Sequence, residues 1–307
     1  GARGEYYERR SSVERYTSET KRWELLEDAP MSSKRNGCAA AVLDGQLFVM
    51  GGFDGKTMLS TVEVFDPELE RWEVLPASLQ TGRSGCAAAV LEGCVYVLGG
   101  RDNGAHQLSS VERYDAERKR WELVAPMGEG RSLFAAAVLG GRLYAIGGLD
   151  QDCNNLKSVE RYDAERNEWE AVADLNTVRW GCAVAVLDGK LCVLGGVDED
   201  DDTLSSVECY DPERNEWELV GAMNHGRGYA SRRIGKVAEL LQNPVQSIHL
   251  LLKRTKRVKN IIVIIVLIVV FIPVFIDNIV AVVLLREKAI EVTGVGVCRS
   301  GIAQLHI

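Results

Sequence analysis

Residues 83–124 read RSGCAAAVLEGCVYVLGGRDNGAHQLSSVERYDAERKRWELV, and this stretch decides the fold. It opens with a short apolar run of small residues, CAAAVL (86–91), followed by Glu92-Gly93. Such a pair supplies the positive φ angles of a tight hairpin turn. A second apolar run, CVYVL (94–98), ends at the doublet Gly99-Gly100. The polar loop RDNGAHQL (101–108) leads to SSVERYD (109–115), and a turn around Glu117 to Lys119 leads to WELV (121–124). Four strands joined by short turns follow from this pattern. The runs are too short for helices and are interrupted too often.

Working outward, the same stretch recurs along the chain. Gly doublets begin at Gly51, Gly99, Gly147 and Gly195, a constant step of 48 residues. Arg35, Arg83, Arg131, Arg179 and Arg227 keep that step. So does the aromatic series Tyr16, Phe65, Tyr114, Tyr162, Tyr210, within one residue, and the tryptophans 23, 72, 121, 169 and 217 move with it. A fixed period of this length is the signature of a repeat architecture. The first two strands of each unit are apolar throughout, which implies burial on both faces. One four-stranded sheet cannot bury both its faces alone, whereas sheets stacked around an axis can. The fold expected is therefore all-β, a β-propeller. Small Ala, Cys and Gly suit the crowded centre, and Trp suits the wider gap between outer strands.

The repeat sets the expected organisation. Residues 1–34 align with the outer two strands of a unit; full repeats cover 35–82, 83–130, 131–178 and 179–226; 227–230 begin another, and 231–307 do not match. Four full four-stranded blades plus partial blades make an incomplete ring, with strand edges exposed at its ends. The opening GARGEYYERRSSVERY (1–16) aligns without gaps to residues 99–114, so the sequence begins within a blade. The unmatched segment differs in character. Residues 1–230 carry 25 Lys and Arg against 40 Asp and Glu, while residues 231–307 carry 11 against 4. Its basic run KRTKRVK (253–259) precedes an apolar stretch that extends to residue 285. Three readings of it stay open. A membrane anchor suits the apolar length and basic flank, with Pro273, Asp277 and Asn278 against it. A segment foreign to the natural protein suits the abrupt break at Ser231. The third is an apolar segment packed on the propeller. The expected localisation is cytoplasmic, with a C-terminal anchor as the variant.

The multi-point pattern, an apolar strand ending in Gly-Gly, then Tyr, then Trp seven residues later, resembles the kelch repeat over residues 1–230. The SVERYD wording is similar to the propellers of BTB-kelch proteins, substrate adaptors of cullin-RING ubiquitin ligases. That resemblance implies a protein-interaction module, with a cullin engaged through a BTB domain upstream. An actin-binding or scaffold protein is the alternative, and a propeller hydrolase such as a sialidase is the reading from another class. In BTB-kelch propellers, positions matching the repeated arginines and nearby loops often line the substrate pocket.

Candidate partner-binding residues follow. Arg35, Arg83, Arg131, Arg179 and Arg227 carry over from the resemblance, since a ring of guanidinium groups suits acidic side chains through bidentate hydrogen bonds. The competing role is structural, each Arg bracing its own blade. Residues that break the repeat are specificity candidates because folding does not demand them: Arg101, Asn103 and His106 in one loop, Asn154 and Asn155 in the next, and Trp180 beside Arg179. Asp54, Asp102, Asp150 and Asp198 recur with the period and read as turn-closing groups. The run Asp198–Asp202 lacks the alternation and Gly of a calcium loop. Cysteines 38, 86 and 182 share one repeat position with Phe134, which marks an apolar core site, and the cysteines are expected as reduced thiols. No metal, cofactor or catalytic residue is expected, and the acidic blades argue against nucleic acid. The expected partner is a protein or peptide held at the loop face.

Overall fold

The computed structural model describes residues 9–17, 20, 22–26, 29–228 and 280–284. Four four-stranded sheets follow one another, each antiparallel and in sequence order. The first holds β3 (Asn36–Leu43), β4 (Gln46–Phe53), β5 (Val62–Asp66) and β6 (Arg71–Val74), and the second β7 (Ala87–Leu91), β8 (Cys94–Leu98), β9 (Val111–Asp115) and β10 (Arg120–Val124). The third holds β11 (Ala135–Leu139), β12 (Arg142–Leu149), β13 (Asn155–Asp163) and β14 (Glu168–Val172). The fourth is β15 (Ala183–Leu187), β16 (Lys190–Leu194), β17 (Ser206–Asp211) and β18 (Glu216–Ala222). Before them, β1 (Val13–Thr17) and β2 (Arg22–Leu25) form the expected half-blade. A strand β19 (Val280–Leu284) runs parallel to β1. The apolar stretch read as an anchor otherwise lies outside the described residues. Among those described, no helix is long and apolar enough to cross a membrane.

The turns form where the sequence supplies positive φ. Asp44-Gly45, Glu92-Gly93, Gly140-Gly141 and Asp188-Gly189 all adopt left-handed pairs, which match the twist of the strands they join. The blades lock through the Gly doublets. Gly52, Gly100, Gly148 and Gly196 each donate from N–H to the carbonyl of the next repeated arginine, at 2.8, 2.8, 2.9 and 2.6 Å. A Cβ on Gly51 would lie 2.5 Å from the Arg83 oxygen, so only glycine lets the next blade sit this close. Doublet and arginine share a period because they are two sides of one joint.

A second series of bonds links the blades just before their innermost strands. Gly85 donates to Gly37 O, Leu133 to Gly85 O and Gly181 to Leu133 O, each at 2.8 Å. Between sheets the core fills as the pattern requires. Cys86, Cys182 and Phe134 are buried at their shared position. Tyr96 meets Tyr162 of the next blade edge-on, and Tyr144 meets Tyr210 likewise, both with ring centres 5.9 Å apart. The outer tryptophans reach backward. Trp72, Trp169 and Trp217 donate from Nε1 to the carbonyls of Ala29, Ala125 and Ala173 at 3.0, 2.9 and 2.8 Å.

One cysteine expectation needs correcting. Cys38, Cys86, Cys94, Cys153 and Cys182 are free thiols, but Cys192 and Cys209 are joined as a disulfide. They lie directly opposite each other on β16 and β17, a proximity that only strand register reveals.

Candidate functional site

The repeated arginines sit deeper than a binding surface. Arg35, Arg83, Arg131 and Arg179 are at most 1% exposed. Arg83 shows the arrangement: Nη1 donates to Gly99 O at 2.9 Å and Ser110 O at 3.1 Å, and Nη2 donates to Ser110 Oγ at 3.1 Å and Glu112 Oε1 at 2.7 Å. Arg131 repeats this with Gly147, Ser158 and Glu160, Arg179 with Gly195, Ser206 and Glu208, and Arg35 with Gly51, Thr61 and Glu63. Each carboxylate also accepts a backbone N–H from the segment leading into its blade: Ser32 to Glu63, Gln80 to Glu112, Gly128 to Glu160, Asn176 to Glu208. These extra bonds offset part of the cost of burying the charges, although Nε of Arg131 and of Arg179 is buried with no hydrogen-bond partner among the described residues. Of the two roles the sequence allowed, the geometry of these four guanidiniums is that of the brace. They tie the ends of the Gly-doublet loop to the third strand and hold none of their donors at the surface.

Arg227 is different. Its backbone is seated like the others, N–H to Leu204 O at 2.8 Å and carbonyl to Gly196 N. Its side chain is half-buried and, among the described residues, meets no carboxylate. Burial holds its guanidinium below the usual arginine range.

One residue beyond each brace the chain bridges across its own blade, and there Asn36 and Ser132 are buried while Ser84 and Trp180 are half-buried. Ser84 pairs with Arg101 across the mouth of its blade, Ser132 with Leu149, and Trp180 with Val197, while Asn36 opposes Phe53. These backbone bridges are alike, yet their side chains differ from blade to blade. The hydrogen bonds from Gly85 to Gly37, Leu133 to Gly85 and Gly181 to Leu133 link the four blades in sequence beside these bridges. Neighbouring loops also clasp. Asn103 accepts from Met58 N at 2.7 Å and donates to Met58 O at 3.3 Å; Gln151 accepts from Gln107 N at 2.7 Å. Asn103, picked from sequence as a ligand, thus spends both ends of its amide on an inter-blade clasp. Arg101 is exposed and donates from Nε to its own loop at Ala105 O, 3.3 Å, leaving the guanidinium tip at the surface. Trp180 is half-buried.

The other loop candidates serve the loops. Asp54 accepts from Lys56 N and Thr57 N, and Asp198 from Asp200 N and Asp202 N. Asp150 ties down Asn154 by its backbone and its side chain, and Asp102 accepts from His106 N, with the His106 ring 3.3 Å from its second oxygen. The N–H donors at Thr57 and His106 hold the carboxyls of Asp54 and Asp102 below the usual range. Asn155 begins β13.

Three surface residues were missed in the sequence: Phe53, Leu133 and Leu149, all half-buried. Leu133 had a signal. It stands where the other blades have Gly37, Gly85 and Gly181, and it adopts φ +56. A branched side chain in the left-handed region is costly, and such strain concentrates at functional positions. Its Cδ2 lies where a Cβ on Gly85 would come within 2.9 Å, so it leans over the neighbouring blade. At the loop ends of their own blades stand Phe53, Leu149 and Trp180, with Leu133 leaning on Gly85, the cationic tip of Arg101 and the small hydroxyl of Ser84. Among the described residues no group of three or more His, Cys, Asp or Glu could hold a metal ion.

Comparison with known proteins places this geometry. The family model for the KLHDC2/KLHL20/DRC7 kelch-repeats domain matches residues 3–148 and again 80–243. Kelch-like protein 23 of Mus musculus is 34% identical over 74 residues, covering 22% of this chain and 13% of that protein. Kelch-like protein 4 of Homo sapiens is 39% identical over 68 residues, covering 22% of this chain and 9% of that protein. The matched segments span about a tenth of these relatives' length. A solved structure titled "Structure of YjhT" superposes with a TM-score of 0.62 at 16% identity, over 72% of this chain and 86% of that one, a likeness of fold. With its Gly-doublet joints, braced blades and matching family model, the chain belongs to the kelch-repeat family, whose domains are protein-interaction modules.

Proposed function

We propose that this propeller recognises a partner protein at the mouth formed by Phe53, Ser84, Arg101, Leu133, Leu149 and Trp180, as the substrate-binding part of a cytoplasmic cullin-RING ligase adaptor. The observation that carries the binding half is the contrast between equal backbone bridges and unequal side chains at one face. Folding fixes the bridges, and partner choice accounts for the variation. A peptide loop with an apolar side chain beside an Asp or Glu fits best: the apolar group meets Trp180 or Leu133, and the carboxylate meets Arg101. The adaptor half rests on kinship with the kelch-like proteins. It is tested by purifying the full-length protein with a recombinant cullin. Co-elution supports the adaptor, and its absence overturns that half. Sedimentation with filamentous actin instead would move the assignment to a cytoskeletal scaffold.

A further inference from the structure

In each blade one pair of opposed residues lies in the middle of the two central strands. In blade one it is Phe48 and Val64, in blade two Tyr96 and Arg113, and in blade three Tyr144 and Arg161. The first member of each is aromatic and packs on a tyrosine of the following blade: Phe48 on Tyr114 at 5.8 Å, Tyr96 on Tyr162 and Tyr144 on Tyr210 at 5.9 Å. Blade four abandons this device. Its pair is Cys192 and Cys209, bonded to each other, 6% and 7% exposed. A repeat that three times selects bulky packing groups has here selected two thiols in register.

The location gives the pair something to control. β16 ends at Leu194 and β17 begins at Ser206, so the disulfide closes the stems of the intervening loop two strand positions below its base. That loop carries Val197, which bridges both Trp180 and Thr203, and the turn closed by Asp198. At the loop end the stems are also tied by the Arg179 guanidinium, bonded to Gly195 O and Ser206, and at the far end by the Lys190–Asp211 ion pair. We infer that Cys192 and Cys209 form a thiol–disulfide clasp that sets the rigidity of loop 195–205 according to the surrounding glutathione couple.

The chemistry balances with that couple alone. A glutathione thiolate attacks one cysteine sulfur, the Sγ–Sγ bond breaks, and the other cysteine leaves as a thiolate that takes up a proton. A second glutathione attacks the mixed disulfide and releases oxidised glutathione and the second cysteine thiol. Two electrons and two protons have then entered the protein, and oxidised glutathione reverses both steps. Both sulfurs are buried, so exchange proceeds through local opening of the stems. In the oxidised form the cross-link restricts the chain over a sequence separation of 17, which favours the closed, native loop.

The test equilibrates the full-length protein in buffers of stepped reduced-to-oxidised glutathione ratio. Acid quenching, differential alkylation and mass spectrometry then read Cys192 and Cys209, and hydrogen exchange reads the amides of 195–205. The expected result is one joint transition of the two cysteines. In the reduced form, exchange in the loop is faster by about tenfold or more, and the melting temperature is lower by roughly 5–10 °C. The variant carrying both C192S and C209S should sit at the reduced values in every buffer. If the double variant fails to fold, the wild-type titration still decides. Two cysteines that alkylate independently, or stay thiols throughout, overturn the clasp; so does loop exchange that ignores their state. No partner enters these measurements, so they stand or fall separately from the function proposed above.

Discussion

Adjacent residues in each repeat live under opposite rules. Arg83 and Ser84, Arg131 and Ser132, Arg179 and Trp180 are neighbours along the chain. The arginine is buried and bonded alike in each of these blades, while the next residue changes from blade to blade, half-buried as Ser84 and Trp180 but buried as Ser132. The difference teaches that recurrence in a propeller reports joints, while a departure from recurrence has to be placed by its burial, outside as for Arg101 or inside as for Cys192. A group needed once per blade is being used to build the blade. Under the proposed function, partner choice is written among exposed residues where the blades stop agreeing.

The comparison can be broken most severely at the brace. Replacing Arg131 by Met strands Glu160 in the interior, at a cost of about 3–5 kcal/mol, which lowers the melting temperature by roughly 10 °C. Adding Glu160→Leu should recover most of that loss, because an apolar pair of similar volume leaves no buried charge. A singly substituted Arg131 variant that melts like wild type while losing its partner would reverse the assignment of inside and surface.

Alkali probes the same interior. Burial pushes the thiol of Cys86 up to about 12 from its ordinary 9.0, and that of Cys182 up to about 11. A raised folded-state pKa means the unfolded chain gives up the proton first. This part of the stability is complete below pH 9, is lost progressively as pH rises, and is fully gone above the folded value, about 12 for Cys86. Denaturant titrations at pH 8 and pH 10 should show Cys86→Ala narrowing the gap between the two by about 1.4 kcal/mol in all. An unchanged gap would mean that Cys86 titrates as freely folded as unfolded.

The smallest stability effects belong to the face. Trp180→Ala and Arg101→Ala should shift stability by no more than about 1 kcal/mol, since neither side chain is fully buried. Each should weaken partner binding tenfold or more, read by calorimetry. Leu133→Gly sharpens the point, because it relieves a left-handed leucine and should stabilise the fold by up to about 1 kcal/mol while reducing affinity. A variant that loses stability and affinity in proportion would make Leu133 part of the joint.

Much of this was legible beforehand. The doublets, the hairpin turns and the Tyr–Trp pairs announced the blades, because each is a local demand: positive φ, a close approach, an aromatic in a wide gap. The turn role of Asp54 and Asp198 was legible for the same reason. The depth of Arg131 was not. Its partner Glu160 lies 29 residues on, and a period alone assigns position without saying which way a side chain points. Asn103 misled because an amide that breaks the repeat can still be spent on the neighbouring loop.

The sequence by itself determined that this chain is a stack of kelch blades with a fixed 48-residue joint, since backbone conformation and alternating burial are dictated residue by residue. Only the tertiary structure decided that the recurring arginines are braces, that Cys192 faces Cys209, and that Leu133 leans over Gly85 of the neighbouring blade. Burial, ion pairing and register depend on what the next strand and the next blade bring within a few ångströms. Those neighbours are far apart along the chain, and folding alone puts them together.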